Sequence, residues 1–263
     1  MRHPFAPVSG GIALALAAVA LLVPDGLGAQ ATGGSIFDRD FMFGKPRATL
    51  SFNMGYGVAR AGSDIFQEMD TLLTLGKRDF DSPVVGGTLA FYVNDRIDLS
   101  LQVGFSRSET WSEYVDWVED LGDGREAPIE QKTRLTRVPM TASILYYPVD
   151  RGRQLSRFAW VPTRWSPYVG LGGGRVYYSF QQNGDFLDFE DFSIFTGDFR
   201  SSGYAWTGHA LAGAQFALSA QVILSAEGRY SWADAELDRT NFRDFKPIDL
   251  SGFQLTAGIG VRF

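Results

Sequence analysis

The sequence predicts an all-β fold: a closed antiparallel transmembrane β-barrel of about eight strands, connected as a meander. Three observations carry that prediction. Apolar and polar residues alternate with a period of two through most of the chain. The polar face is mainly Gly, Ser, Thr and Gln, where a soluble barrel such as a lipocalin would show Lys and Glu on its outer face. Connections between the alternating segments switch between short and long, as they do in barrels that cross an outer membrane.

The first residues read as an export segment. Met1-Arg2-His3 is a short basic start, Ile12 to Val23 is an apolar run, and Ala29-Gln30-Ala31 is a small-x-small site. This predicts a cleaved signal peptide over residues 1–31 and a barrel domain over 32–263. An uncleaved anchor is the other reading, although the apolar run is short for a bilayer span. The chain has no cysteine, which excludes a lipidated cysteine, disulfides and thiolate metal sites. Nothing after Val23 reads as a membrane helix, so any membrane crossing must be made by strands. The net charge is −6, and removing 1–31 leaves it unchanged because Arg2 and Asp25 go together. An acidic chain without a basic run does not point to nucleic acid as a partner.

The strands follow in order. Ala48, Leu50, Phe52, Met54, Tyr56 and Val58 alternate with Thr49, Ser51, Asn53, Gly55 and Gly57. Further alternating segments run from Val85 to Val93, Ile97 to Ser106, Val138 to Tyr146, Tyr204 to Leu218, Val222 to Trp232 and Phe253 to Phe263. Pro167 to Gln182 also reads as strand, but its Gly170–Gly174 run blurs which face is which. Asn94-Asp95-Arg96 and Ser219-Ala220-Gln221 read as tight turns, with Leu218 opposite Val222. Ala61–Ser82, Glu109–Glu130, Asn183–Ser202 and Asp234–Asp249 read as long loops on the other side. Val149–Ser166 is the exception, a long connection where a short turn is expected.

The whole segment from about Lys45 to Phe263 resembles the small outer-membrane β-barrel families, the OmpA-like, OmpW-like and opacity-type porins. The last strand, Leu255-Thr-Ala-Gly-Ile-Gly-Val-Arg-Phe263, carries most of the resemblance, together with Ser166-Pro-Tyr-Val-Gly-Leu-Gly-Gly-Gly174. The resemblance implies an outer-membrane location and recognition of residues 255–263 by the barrel assembly machinery. Fold alone leaves the ligand open.

Candidate sites sort by face. Asp98, Gln102, His209, Gln215, Glu227, Arg229, Gln254 and Arg262 are expected inside, as a polar network or a selectivity lining. An eight-stranded barrel is only just wide enough to be filled by its own side chains, so little steady conductance is expected. Tyr56, Tyr204, Trp206, Tyr230, Trp232 and Phe263 are expected at the lipid interface. Arg107, Lys132 and Arg134 are candidate contacts to lipopolysaccharide phosphates, or a solvated rim. His209, opposite Ser231, invites a lipid-hydrolase reading but lacks an orienting carboxylate. The glycine run invites a phosphate-loop reading, which would require a helix after it. The acidic, aromatic stretches Glu113–Asp120 and Asp185–Phe192 suggest a contact surface with an unknown external partner or with neighbouring loops, with Ca²⁺ binding as the alternative. No cofactor and no catalytic residue is expected. The predicted role is structural or surface-interacting, with a narrow porin or a transporter of small or apolar solutes next, and a lipid-modifying enzyme last.

Overall fold

The structure, a computed structural model, describes residues 40–263 except 121, 123, 157, 158 and 190. The predicted signal segment lies outside the described residues. Strands β1 (Ala48–Ala59), β2 (Ser82–Tyr92), β3 (Ile97–Asp120) and β4 (Glu126–Tyr146) are followed by a short hairpin of β5 (Gly152–Ser156) and β6 (Ala159–Pro162). Strands β7 (Trp165–Leu187), β8 (Ile194–Ala217), β9 (Val222–Ala235), β10 (Ile248–Asp249) and β11 (Gly252–Arg262) complete the sheet elements. Between β1 and β2 lie helix α1 (Asp64–Leu72) and a 3-10 turn at Lys77–Phe80.

Eight strands close a ring in the order β1-β2-β3-β4-β7-β8-β9-β11, each antiparallel to its neighbours. Closure pairs the first strand with the last, Thr49 opposite Arg262 through Ala59 opposite Gly252, so neither strand leaves a free edge. The short connections are as expected. Val93 and Asn94 donate to the Ile97 carbonyl, and Leu218 donates to that of Val222.

The greasy face looks outward. Leu99, Leu224 and Ile259 are 41%, 41% and 47% exposed, whereas Asp98 and Arg262 on the opposite parity are 1% and 0% exposed. A soluble barrel has the reverse order. This inverted polarity is what hydrocarbon requires of a surface and what an enclosed lumen requires of its lining. In β7 the parity hidden by the glycines is resolved: Trp165, Val169, Leu171 and Arg175 point out, while Ser166, Tyr168 and Tyr178 point in.

Two expectations need correction. The stretches 109–130 and 183–202 are mostly strand rather than loop, because β3 runs to Asp120 and β8 starts at Ile194. A membrane crossing takes about 9–11 residues. The 24 residues of β3 and of β8 therefore rise about 40 Å further along the strand. There the outward face meets water, so charged residues such as Glu109 replace apolar ones and the sequence pattern no longer looks like strand.

The second correction concerns the inward face. It is mainly polar toward the turn end. Near the loop end Leu135, Val176, Tyr178, Phe180, Ala205 and Ala233 line it and join a buried apolar cluster. The filling comes from the 61–82 connection, expected to be a loop. Ile65, Phe66 and Met69 recur at helical spacing and bury one face of α1, and Phe80 follows from the 3-10 turn. Phe66 meets Phe80 with ring centroids 4.5 Å apart, and Phe180 at 6.5 Å. Burial of the helix face, rather than a side-chain cap at Ser63, holds α1 in place. Ser63 instead accepts from the Asp249 amide, and Asp249 accepts from the Gly62 amide.

Candidate functional site

The lumen contains two polar clusters below the apolar plug. In the first, Arg229 donates to Glu227 Oε1 through Nε (3.2 Å) and Nη2 (3.0 Å), and reaches Thr141 Oγ1 at 3.4 Å. Tyr168 donates to the other Glu227 oxygen at 3.0 Å. Both charges are thus paired and hydrogen-bonded, the condition for holding ions inside a barrel. The second cluster closes the turn end. Arg151 Nη1 lies 2.6 Å from both Asp98 oxygens, and Nη2 donates to the Asn94 carbonyl. Its guanidinium lies between the rings of Tyr92 and Tyr147, 3.9 and 4.3 Å from their centroids. Tyr147 accepts from Gln215, and Gln215 accepts from Arg262.

Arg151 belongs to the long 149–166 connection. The connection folds as the β5–β6 hairpin and lays Trp160, 5.6 Å from the Arg262 guanidinium, against the turn end. Met42 pairs with Trp160 from the other side. The lumen is therefore obstructed twice, by α1 above and by Arg151 with this hairpin below.

Each predicted interior residue faces the lumen. Asp98, Gln215, Glu227, Arg229 and Arg262 fall in the two clusters, while Gln102 and Gln254 lie outside them. His209 is opposite Ser231 by register, but its hydrogen bond crosses to Ser143 Oγ at 2.7 Å. Its Nδ1 has no partner, so no carboxylate orients the ring, and a triad is not assembled. Gly172 is opposite His209, and a Cβ there would run into the Ala142 carbonyl oxygen and sit 2.7 Å from the ring. The glycine run thus makes room for this side chain within a strand that continues to Leu187, and no helix follows it as a phosphate loop requires. Arg137, absent from the predicted set, also points inward and donates to the Phe80 carbonyl and to Ser82, joining plug to wall.

The outer face carries the remaining candidates. Tyr204, Trp206 and Trp232 are exposed toward the loop end, with Tyr56 exposed on β1, two strands round from β9. Tyr230 packs on Trp232 at 5.0 Å, and Phe263 sits at the turn end, half-buried. Arg107, Lys132 and Arg134 do cluster outward, but Glu109 is shared by Lys132 and Arg134 (2.6 Å to the latter). Those two cations hold the Glu109 carboxyl below its usual range by hydrogen bonding. Arg107 donates to Thr136. Arg175, also missed, lies outward with its guanidinium 5.5 and 5.2 Å from the rings of Tyr204 and Trp206. At the tips of the tall strands Trp117 stacks on Phe192 (5.3 Å) and meets Phe189 edge-on (6.2 Å). The two acidic, aromatic stretches therefore meet in space. Among the described residues no three carboxylates or histidines converge as a metal site.

No protein-family model and no curated protein matches the sequence. Solved structures do. Neisserial surface protein A is 13% identical, with 82% of this chain and 96% of that one covered at a TM-score of 0.43. The outer membrane protein OprG from Pseudomonas aeruginosa is also 13% identical, covering 84% and 98% at 0.43. The outer membrane protease OmpT from Escherichia coli is 12% identical, covering 89% and 100% at 0.36. With its ring of eight strands closed first to last, its apolar belt turned outward and its charges paired within, the chain has the fold of a small outer-membrane β-barrel.

Proposed function

We propose that this protein is a non-conducting outer-membrane barrel that presents an acidic, aromatic head at the cell surface. The observation that carries the reading is the combination of a lumen obstructed at both ends with strands that overshoot the membrane by about a dozen residues. Strand residues beyond the bilayer do nothing for anchorage, and here they end in the Trp117–Phe189–Phe192 cluster among carboxylates. Exposed aromatics in one patch favour a protein or surface contact. The loop end then faces outward and the β5–β6 hairpin faces the periplasm. Residues 1–31 act as the cleaved signal, and 255–263 present the assembly signal. Tyr56, Tyr204, Trp206, Tyr230, Trp232 and Phe263 sit at the lipid interface, with Arg107, Lys132 and Arg134 toward lipopolysaccharide.

A pore or a solute transporter would need a path that neither plug leaves. A hydrolase built on His209 would need a carboxylate at its Nδ1. The test has two parts. Planar bilayers containing the protein should show no steady current. Cells carrying the triple substitution Trp117→Ser, Phe189→Ser and Phe192→Ser should keep the folded barrel in the outer membrane and lose attachment to cationic surfaces. Stable unitary currents, or attachment unchanged by the substitutions, would refute the reading.

A further inference from the structure

A cup opens at the loop end between α1 and the tall wall, with a volume of about 190 Å³. Its size sets the ligand class. A dry cavity of about 150 Å³ accommodates a benzene ring, and drug-sized sites begin at about 300 Å³. The cup therefore holds one ring with a short chain.

Its walls set the chemistry. One side is aromatic and comes from three segments: Phe186 of β7, Phe199 of β8, and Phe242 with Phe245 of the β9–β10 connection. These rings form a continuous edge-to-face series, with centroids 4.7 Å apart for Phe186–Phe199 and 6.4 Å for both Phe199–Phe242 and Phe242–Phe245. The facing side is α1, with Met69 and Leu72. Gln131 contributes to the lining, and its buried side-chain carbonyl oxygen has no partner. A buried acceptor left unpaired is costly, and a ligand N–H within reach would relieve it. Among the described residues the only charged one in the lining is Glu68, and neither lysine nor arginine takes part. Ring faces, a free carbonyl and a carboxylate all attract positive charge.

We infer that the cup between α1 and Phe186, Phe199, Phe242 and Phe245 binds a small organic cation, a primary amine carried on a single aromatic ring. The ring fills the apolar interior and the ammonium lies between Glu68 and the aromatic wall. Burial and the neighbouring Asp64 raise the Glu68 carboxyl above its usual range, and an ammonium alongside would favour its charged form. The cup shares Phe189 with the surface cluster, but the inference concerns its interior and does not rest on surface attachment.

The experiment is calorimetric titration of the folded barrel in a nonionic detergent, with empty micelles as the blank. The probes are phenethylamine, the neutral 2-phenylethanol and the anionic phenylacetate, which share shape and differ in charge. Phenethylamine is expected to bind with a Kd of about a millimolar or tighter. The alcohol should be about tenfold weaker, the size of a cation–π and charge contribution. Phenylacetate should give no heat up to about 10 mM. Glu68→Gln lies on an exposed helix position, so the fold is retained; it should weaken the amine about fivefold and leave the alcohol unchanged. Equal affinity for amine and acid, amine binding indifferent to Glu68→Gln, or heats no larger than those of empty micelles would each overturn the inference.

Discussion

Replacing Arg151 with methionine isolates the ion pair that seals the turn end. Asp98 and Arg151 are 1% and 2% exposed, and Nη1 touches both carboxylate oxygens at 2.6 Å. The substitution leaves Asp98 as an uncompensated buried charge, which costs about 3–5 kcal/mol. Loss of the Tyr92–guanidinium–Tyr147 sandwich adds to this, a desolvated cation–π contact being worth about 2 kcal/mol. Asp98→Asn combined with Arg151→Met removes both charges. It should recover about half the loss, because a neutral pair of similar volume avoids the desolvation that the ions incur. The assay is equilibrium urea unfolding of the refolded barrel in lipid vesicles, followed by tryptophan fluorescence and completed as a double-mutant cycle with Asp98→Asn. A coupling energy of about 2–3 kcal/mol is expected for charged groups in contact. A cost below about 1 kcal/mol for Arg151→Met, or additive single effects, would refute the claim that this pair is buried and interdependent.

Four further outcomes follow from the same geometry. Phe66→Ala should destabilise the plug by about 3–5 kcal/mol and speed amide exchange in α1 while leaving exchange in β1 and β11 slow. Gly172→Val should cost about 1–3 kcal/mol through overpacking against the Ala142 carbonyl and the His209 ring, with Gly208→Val, where a Cβ meets open space, as the milder control by urea midpoint. Removal of residues 152–162 takes Trp160 off Arg262 and should open Arg262 to arginine-selective modification at the turn end, yet give no steady current while α1 remains in place. The stabilisation that Glu109 gives by holding Lys132 and Arg134 is present above its unfolded pKa. Because the folded pKa is the lower one, it is lost as pH falls through that folded value, so the upper β3–β4 hairpin should loosen in acid, as read by proteolysis.

The transmembrane belt was legible because each crossing holds two unlike faces in strict alternation, as in Phe52-Asn53-Met54-Gly55. That rule fails where the surroundings change. Above Arg107 the outward face leaves lipid for water and takes Glu109 and Glu113, so real strand reads as loop. On the inward side Tyr178 and Phe180 are apolar because they meet a helix rather than a lumen. The helix had its own signature, Ile65, Phe66, Met69 and Leu73, but it is only nine residues long with no side-chain cap. Two of the side chains that close the lumen were invisible for another reason. Arg151 meets Asp98 across 53 positions, and Arg137 meets Phe80 across 57, separations at which no local pattern informs either partner.

The plug also imposes an order on assembly. Helix α1 leaves the chain after β1, yet its neighbours Leu135, Tyr178, Phe180 and Ala233 arrive on β4, β7 and β9. The helix can therefore bury Ile65 and Phe66 fully only after the later strands stand around it, so the packing of the plug is a late gain of the folding barrel.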